Sequence, residues 1–242
     1  MFAGPNGSGK STLKSVLPPE LLGVYLNADD IERAIREQGF LDISAFGITG
    51  TANEVLSFFR TSELLISANL GRVVSRLDFI EGRLLFSRVA VDSYFASAAC
   101  DFLRRKLLEK KVAFTFETVM SHPSKVSVLA EAQRLGYRTY LYFIATDDPQ
   151  INISRVENRV QQGGHSVPKN KIEERYYRSL DLLWDAIAYT NRAYIFDNSS
   201  DGEKKTWLAE VTDGKALEIK TERIPAWFKR AVLEKVPGYR SQ

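Results

Sequence analysis

Short apolar runs separated by amphipathic segments form the main pattern along this chain. The runs at residues 24–28, 112–116, 137–145 and 192–196 are rich in β-branched and aromatic side chains, which favours β-strands. The run at 137–145 is nearly continuous, as is typical of a strand buried on both faces of a parallel sheet. Because helical segments lie between these runs, the pattern predicts an α/β fold with a parallel sheet flanked by helices.

The segments between the predicted strands carry helix start and stop signals. Asp92 or Ser93 is placed to cap a long helix, and Gly39 and Gly136 follow two others as stops. Asp147-Asp148-Pro149 marks a further helix start. The predicted helices cover residues 13–17, 31–38, 93–111, 123–135 and a segment that begins at Pro149.

The middle of the chain departs from this alternation. Residues 40–53 contain two glycines and several hydroxyl side chains and are predicted to form a loop. Residues 54–88 show a helical pattern with five scattered arginines. We interpret about residues 44–90 as a helical insertion.

The C-terminal segment, residues 205–242, has a different pattern again. Asp213-Gly214 lies between two short strand patterns and predicts a β-hairpin, and a last helix is expected after Pro225. Neither this segment nor the rest of the chain contains a linker of domain-boundary composition. Residues 1–242 are therefore predicted to form a single domain.

Composition narrows the class of protein. With 242 residues, 44% hydrophobic and 26% charged, the chain is expected to be a folded globular protein rather than a fibrous or disordered one. It has no apolar run long enough to span a bilayer and no signal-peptide pattern, so a cytoplasmic location without membrane contact is expected. Cys100 is the only cysteine, and with His122 and His165 as the only histidines a structural zinc site is improbable.

Gly4-x-x-x-x-Gly9-Lys10-Ser11 is a complete phosphate-binding loop followed by a helical pattern. Its glycines let backbone N–H groups converge on phosphate oxygens, while Lys10 reaches the β- and γ-phosphates and Ser11 binds Mg²⁺. A chance glycine-rich turn is the alternative. Only three residues precede the loop, so either the first strand is very short or residues are missing upstream. The predicted ATP-binding residues are Gly4, Pro5, Asn6, Gly7, Ser8, Gly9, Lys10, Ser11 and Thr12.

Two carboxylates end predicted strands at the edge where ligands of open α/β sheets bind. Asp29 could accept a proton from an acceptor hydroxyl, although Asp29 or Asp30 could instead cap the following helix. Glu117 could bind the substrate or hold magnesium through water, although a surface glutamate at a strand end is the alternative.

The net charge of +3 is too small for nucleic-acid binding by bulk electrostatics, so nucleic acid is an unlikely partner. Residues 155–178 are locally basic, and their helix, Gly163-Gly164 turn and helix pattern suggests a segment that closes over a nucleotide like a lid. A solvated helix face with surface ion pairs is the alternative. The six basic residues are Arg155, Arg159, Lys169, Lys171, Arg175 and Arg178.

These motifs together resemble the zeta-toxin family. The resemblance rests on the phosphate-binding loop, Leu26-Asn-Ala-Asp29, Phe116-Glu-Thr118, and the segment from Arg159 through Gly163-Gly-His to Pro168. It runs from residue 4 to about residue 200, and the Gly-Gly-His sequence is similar to the chromosomal branch of the family. The resemblance implies a P-loop kinase fold and ATP-dependent phosphorylation of UDP-N-acetylglucosamine or a related sugar nucleotide, with an antitoxin protein as a possible partner.

The resemblance also implies residue roles. Lys10 and Ser11 would serve ATP and Mg²⁺, and Asp29 would be the general base. Arg159 would stabilise the transferring phosphate, and either His165 or Arg175 would replace the second arginine of the family. Glu117 and Thr118 would contact the sugar nucleotide.

Two alternative functions stay open. The same fold could phosphorylate another small molecule or a nucleic-acid end. Alternatively, the chain could be a non-catalytic switch in which bound ATP orders residues 155–178 for a protein partner.

Overall fold

The computed structural model describes residues 1–164, 166–200 and 204–239. The chain divides into two compact units, one formed by Met1–Pro18 with Glu117–Gln242 and the other by Pro19–Phe116. In the described ranges, every helix is too short or too polar to cross a membrane.

The strands and helices are numbered in chain order. The strands are β1 (Phe2–Ala3), β2 (Val24–Leu26), β3 (Phe40–Asp42), β4 (Asp78–Ile80), β5 (Arg83–Leu85), β6 (Phe114–Thr118), β7 (Tyr140–Ala145), β8 (Arg192–Asp197), β9 (Thr206–Thr212) and β10 (Ala216–Ile219). The α-helices are α1 (Ala28–Gln38), α2 (Ala52–Arg60), α3 (Glu63–Ser67), α4 (Gly71–Val74), α5 (Ser93–Glu109), α6 (Ser124–Arg134), α7 (Pro149–Gln161), α8 (Lys169–Asp181), α9 (Leu183–Ala188) and α10 (Ala226–Ala231). Short 3₁₀ helices cover Lys10–Val16, Pro19–Leu21, Ile43–Phe46 and Leu233–Lys235.

The main sheet has seven strands in the order β10-β9-β8-β7-β1-β6-β2. Strands β2, β6, β1, β7 and β8 pair in parallel, whereas β9 and β10 are antiparallel. This confirms the predicted fold class, a mostly parallel sheet flanked by helices. The predicted hairpin is present as β9 and β10, and α10 begins directly after Pro225.

The first strand is two residues long but pairs on both sides. Phe2 is opposite Glu117 of β6 and Tyr142 of β7, and its side chain is fully buried. Because β1 is sandwiched between longer strands, its register fixes where the loop that follows it leaves the sheet. The helix predicted for residues 13–17 instead begins at Lys10 and is a 3₁₀ helix that runs to Val16.

One apolar core of the larger unit lies under β7 and β8. Leu141 and Phe143–Ala145 are fully buried, as the apolar run predicts for a central strand. Trp227 of α10 packs on Phe143 with ring centroids 6.1 Å apart, and its Nε1 donates to Asp197 Oδ2 at 2.8 Å. This hydrogen bond pairs a buried indole with a nearly buried carboxylate at the end of β8.

The smaller unit corrects two predictions for the middle of the chain. Residues 40–53 are not a simple loop, because they contain β3, a 3₁₀ helix and the start of α2. The insertion predicted as helical contains α2, α3 and α4, but it ends in the β4–β5 hairpin, which pairs with β3 in a three-stranded antiparallel sheet. Glu81 and Gly82 both have positive φ, at 49° and 80°, which suits a two-residue hairpin turn.

Candidate active site

The phosphate-binding loop leaves β1 and enters the 3₁₀ helix Lys10–Val16. Gly7 and Gly9 have φ values of 74° and 96°, a region that side-chain-bearing residues rarely adopt. A Cβ at Gly7 would lie 2.5 Å from Asn152 O, and one at Gly9 would lie 2.7 Å from Asn198 Nδ2. The glycines are therefore required by both conformation and close packing.

Polar groups inside the loop suit a phosphate ligand. Lys10 Nζ donates to Pro5 O at 2.8 Å, which folds the ammonium group back over the loop. Ser8 Oγ is buried and has no hydrogen-bond partner among the described residues, so its hydroxyl can donate to a phosphate oxygen. This combination of a cation, a buried hydroxyl and a glycine-lined backbone fits the phosphates of ATP.

Ser11 and Glu117 are brought together although they lie 106 residues apart in the sequence. Ser11 Oγ donates to Glu117 Oε2 at 3.3 Å, because the loop follows β1 and β1 pairs with the last residues of β6. A hydroxyl and a carboxylate are both hard oxygen ligands that suit Mg²⁺, which also retains water and binds phosphate. The residues that the structure describes contain no group of three or more His, Cys, Asp and Glu side chains that could hold a metal. Ser11 and Glu117 therefore fit a magnesium ion that arrives with the phosphates, rather than an ion held by protein ligands alone.

Thr118, the residue after Glu117, also links β6 to the phosphate-binding loop. Its carbonyl accepts from Gly4 N at 3.3 Å, and its Oγ1 accepts from Met120 N at 3.0 Å. Met120 is fully buried with a φ of 54°. Thr118 thus stabilises both the start of the loop and the turn after β6, a role that the sequence did not predict.

Asp29 lies in the smaller unit, as the second residue of α1, and is exposed. The cap of this helix is Asn27, whose Oδ1 accepts from Asp29 N at 2.8 Å. The alternative in which Asp29 or Asp30 caps the helix is therefore wrong, since a residue earlier in the chain already accepts that N–H. Asp30 instead pairs with Arg33 at 2.7 Å. The role of Asp29 as general base stays a prediction.

The basic segment forms two helices joined by a turn, as predicted. Gly163 has a φ of 87° just after α7, and α8 begins at Lys169. Ile153 and Val156 of α7 pack with Ile172 of α8 in one buried cluster, so the two helices share an apolar interface.

The basic side chains of this segment have different surroundings. Arg178 pairs with Glu174 at 2.7 Å, and Lys169 pairs with Glu157 at the same distance, as expected for solvated surface ion pairs. Arg159 and Arg175 are half-buried, and their phosphate-stabilising roles stay predictions. His165 lies outside the described residues.

Three polar residues that sequence reasoning missed contact or support the loop. Asn152 Nδ2 donates to Asn6 O at 2.5 Å, and Asn198 Nδ2 donates to Ser8 O at 2.8 Å. Thr146 donates its hydroxyl to Asn152 Oδ1. Asn198 follows a predicted strand in a polar run, which is a weak signal, whereas nothing in the local pattern around Asn152 marks it.

A buried tyrosine supports the same region. Tyr176 of α8 donates its hydroxyl to Thr146 O at 2.7 Å. Burial is the main cause that raises the pKa of Tyr176 above its usual value, so the phenol stays protonated and acts as a donor. The α8 helix is thereby tied to the end of β7.

Parts of this sequence are similar to a known family model and to one curated protein. The family model described as zeta toxin matches residues 89–201. A Haemophilus influenzae protein described only as uncharacterized is 26% identical over 69 residues, which cover 28% of this chain and 49% of that protein.

Similarity to solved structures concerns the fold. The crystal structure of AvrRxo1-ORF1:-ORF2 with ATP matches at 15% identity with a TM-score of 0.53, and the form with sulphate ions matches at 14% with a TM-score of 0.52. Each match covers 90% of this chain and 60% of the other. The chain thus spans about half to three fifths of the length of these relatives.

Proposed function

We propose that this chain, whose residues 89–201 match the zeta-toxin family model, is an ATP-dependent kinase that phosphorylates a hydroxyl of a nucleotide sugar such as UDP-N-acetylglucosamine. The observation that carries the proposal is the convergence of the phosphate-binding loop and Glu117 at one place. Ser11 and Glu117 are in hydrogen-bond contact there, and Lys10 belongs to the same loop. A phosphate cradle beside a carboxylate is suited to phosphoryl transfer.

Binding of ATP would engage the loop residues Gly4 to Thr12. Lys10 would exchange its hydrogen bond with Pro5 O for phosphate oxygens, because a charged acceptor binds an ammonium more strongly than a carbonyl does. Ser11 would ligate Mg²⁺, and Glu117 would orient a water of its coordination shell or a sugar hydroxyl. When bound, ATP would supply the γ-phosphoryl group, and Mg²⁺ would neutralise part of the charge on that group.

The other predicted residues complete the proposal. Asp29 accepts the proton of the acceptor hydroxyl, and Thr118 contacts the sugar nucleotide. Arg159 neutralises charge on the phosphoryl group, assisted by Arg175 or His165. These roles are assigned by the resemblance and by the chemistry of the side chains.

The proposal also includes a protein partner and a cytoplasmic location. The AvrRxo1 structures were crystallised as ORF1:ORF2 complexes, which supports a partner for this chain as well. We infer that such a partner would act as an antitoxin by obstructing the nucleotide site.

The direct experiment is to incubate the purified chain with labelled ATP and a panel of UDP-sugars. Mass spectrometry should find one UDP-sugar that gains a single phosphate. Lys10→Ala should abolish the product, since the loop then lacks its cation, while circular dichroism shows an intact fold. Lys14→Ala is the matched control, because Lys14 lies in the same 3₁₀ helix but outside the motif.

The outcome separates the alternatives. ATP consumption with no modified UDP-sugar would reject the nucleotide-sugar assignment and favour another small-molecule or nucleic-acid acceptor. ATP binding without consumption in the presence of every acceptor tested would favour the switch. Full activity of Lys10→Ala would reject the P-loop kinase altogether.

A further inference from the structure

Two asparagines from distant parts of the chain donate hydrogen bonds to the backbone of the phosphate-binding loop. Asn152 lies on α7, 146 residues from its acceptor, Asn6 O. Asn198 follows β8, 190 residues from its acceptor, Ser8 O. Two separate elements therefore hold alternate carbonyl groups of one loop.

Both asparagines are themselves fixed. Asn152 is fully buried, and its Oδ1 accepts a hydrogen bond from the equally buried Thr146 hydroxyl. Asn198 donates its backbone N–H to Ala145 O at 2.8 Å, and its own carbonyl accepts from Arg155 Nη1 at 2.7 Å. Neither side chain is a mobile surface group, so each can impose an orientation on the loop.

The orientation follows from the planar peptide group. In a trans peptide the C=O and N–H bonds point in opposite directions, and no cis peptide occurs in the described residues. When Asn152 holds the Asn6 carbonyl, the Gly7 N–H must point away from Asn152. When Asn198 holds the Ser8 carbonyl, the Gly9 N–H must likewise point away from Asn198.

We propose that Asn152 and Asn198 are positioning residues that aim the Gly7 and Gly9 N–H groups at a nucleotide phosphate. The asparagines act before the ligand arrives, so the loop does not have to reorganise when it binds. The phosphate part of this inference rests on the proposed function. The orientation of the loop does not.

Three substitutions test the two hydrogen bonds. Asn152→Asp and Asn198→Asp keep the shape of each side chain but replace the N–H donor with an oxygen that repels the loop carbonyl. Thr146→Val is a milder variant, because it removes the hydroxyl that orients Asn152 and keeps the volume nearly constant. Asn191→Asp is the matched control. In the wild-type chain Asn191 Oδ1 accepts a hydrogen bond from Thr139 N at 2.9 Å. These two residues precede β8 and β7, so they lie at the opposite end of these strands from Asn198.

The first measurement is amide hydrogen exchange in the nucleotide-free protein. The N–H groups of Gly4, Ser8 and Thr12 donate to backbone carbonyls at 3.2 to 3.3 Å and report on the order of the loop. Their exchange should become at least about tenfold faster in the three test variants, while the core strand β8 keeps its protection. Asn191→Asp should leave loop exchange unchanged.

The second measurement is the dissociation constant for MgATP by calorimetry. It should rise about tenfold in each Asp variant at the loop, equivalent to about 1.4 kcal/mol, and should not change in Asn191→Asp. A residue that only supports packing would lower thermal stability without changing the dissociation constant.

Unchanged loop exchange or unchanged ATP affinity in the folded variants would overturn the inference. Faster exchange throughout the chain would also overturn it, because the asparagines would then serve general packing. If Asn152→Asp does not fold, Thr146→Val and Asn198→Asp decide the result. If the wild-type chain binds no ATP but the variants loosen only the loop, the orienting role stands and the proposed function fails.

Discussion

Asp29→Asn tests the general base in the proposed reaction. The substitution keeps the size of the side chain but removes its ability to accept a proton. Phosphoryl transfer should therefore fall by about 10² to 10⁴. This loss corresponds to about 2.7 to 5.5 kcal/mol of activation free energy.

The other effects of this substitution, on the helix cap and on the helix dipole, are smaller than the expected loss of activity. The helix cap is formed by Asn27 and the backbone N–H of residue 29, which asparagine retains. Asp29 is exposed in the first turn of α1, so the lost attraction between its carboxylate and the helix dipole is at most about 1 kcal/mol. A loss of stability of that size does not reduce the folded fraction enough to explain a hundredfold loss of rate.

Asp30→Asn is the matched control on the next residue. It breaks the ion pair with Arg33, but the two side chains are 55% and 66% exposed, so the stability cost is below about 1 kcal/mol. The assay is single-turnover transfer of labelled phosphate to the acceptor found in the UDP-sugar panel. Urea unfolding of all three proteins measures the stability difference in parallel.

Phosphate transfer by Asp29→Asn at the wild-type rate would show that Asp29 is not the base. An equal loss of activity in Asp30→Asn would also contradict this role, because the effect would then come from the charge of the first helical turn. In the first case Glu117 becomes the next candidate for the base.

Two further predictions concern charge and burial. Arg159→Ala should slow transfer because charge on the phosphoryl group is left uncompensated, and Arg159→Lys should restore only part of the rate in the same assay; equal rates for all three proteins would contradict this role. Trp227→Phe should lower the free energy of unfolding by about 1 to 3 kcal/mol in urea titrations, since Asp197 loses a buried donor at 2.8 Å; an unchanged midpoint would show that the bond contributes nothing.

Local signals predicted much of the fold. Pro149 after Asp148, Gly39 after α1 and Asp213-Gly214 between two strands act through backbone conformation and hydrogen bonds that span a few residues. The same is true of the phosphate-binding loop, whose glycines are needed for its backbone conformation.

Three neighbouring residues compete as the cap at the start of α1. Asn27, Asp29 and Asp30 are all good caps, and the choice of Asn27 follows from where β2 ends rather than from residue preference. The β4–β5 hairpin differs from the predicted helix, because its scattered arginines and apolar residues also satisfy a helical spacing. Its Glu81-Gly82 turn was the signal that could have revealed it.

The sequence by itself therefore determined the type of fold and the residue types of the site. Only the tertiary structure decided which of those residues meet. Ser11 contacts Glu117 because β1 and β6 pair in one particular register, and Asn198 reaches Ser8 because β8 ends near the loop. Such contacts depend on how strands more than a hundred residues apart align, and no short-range preference of the chain encodes that alignment.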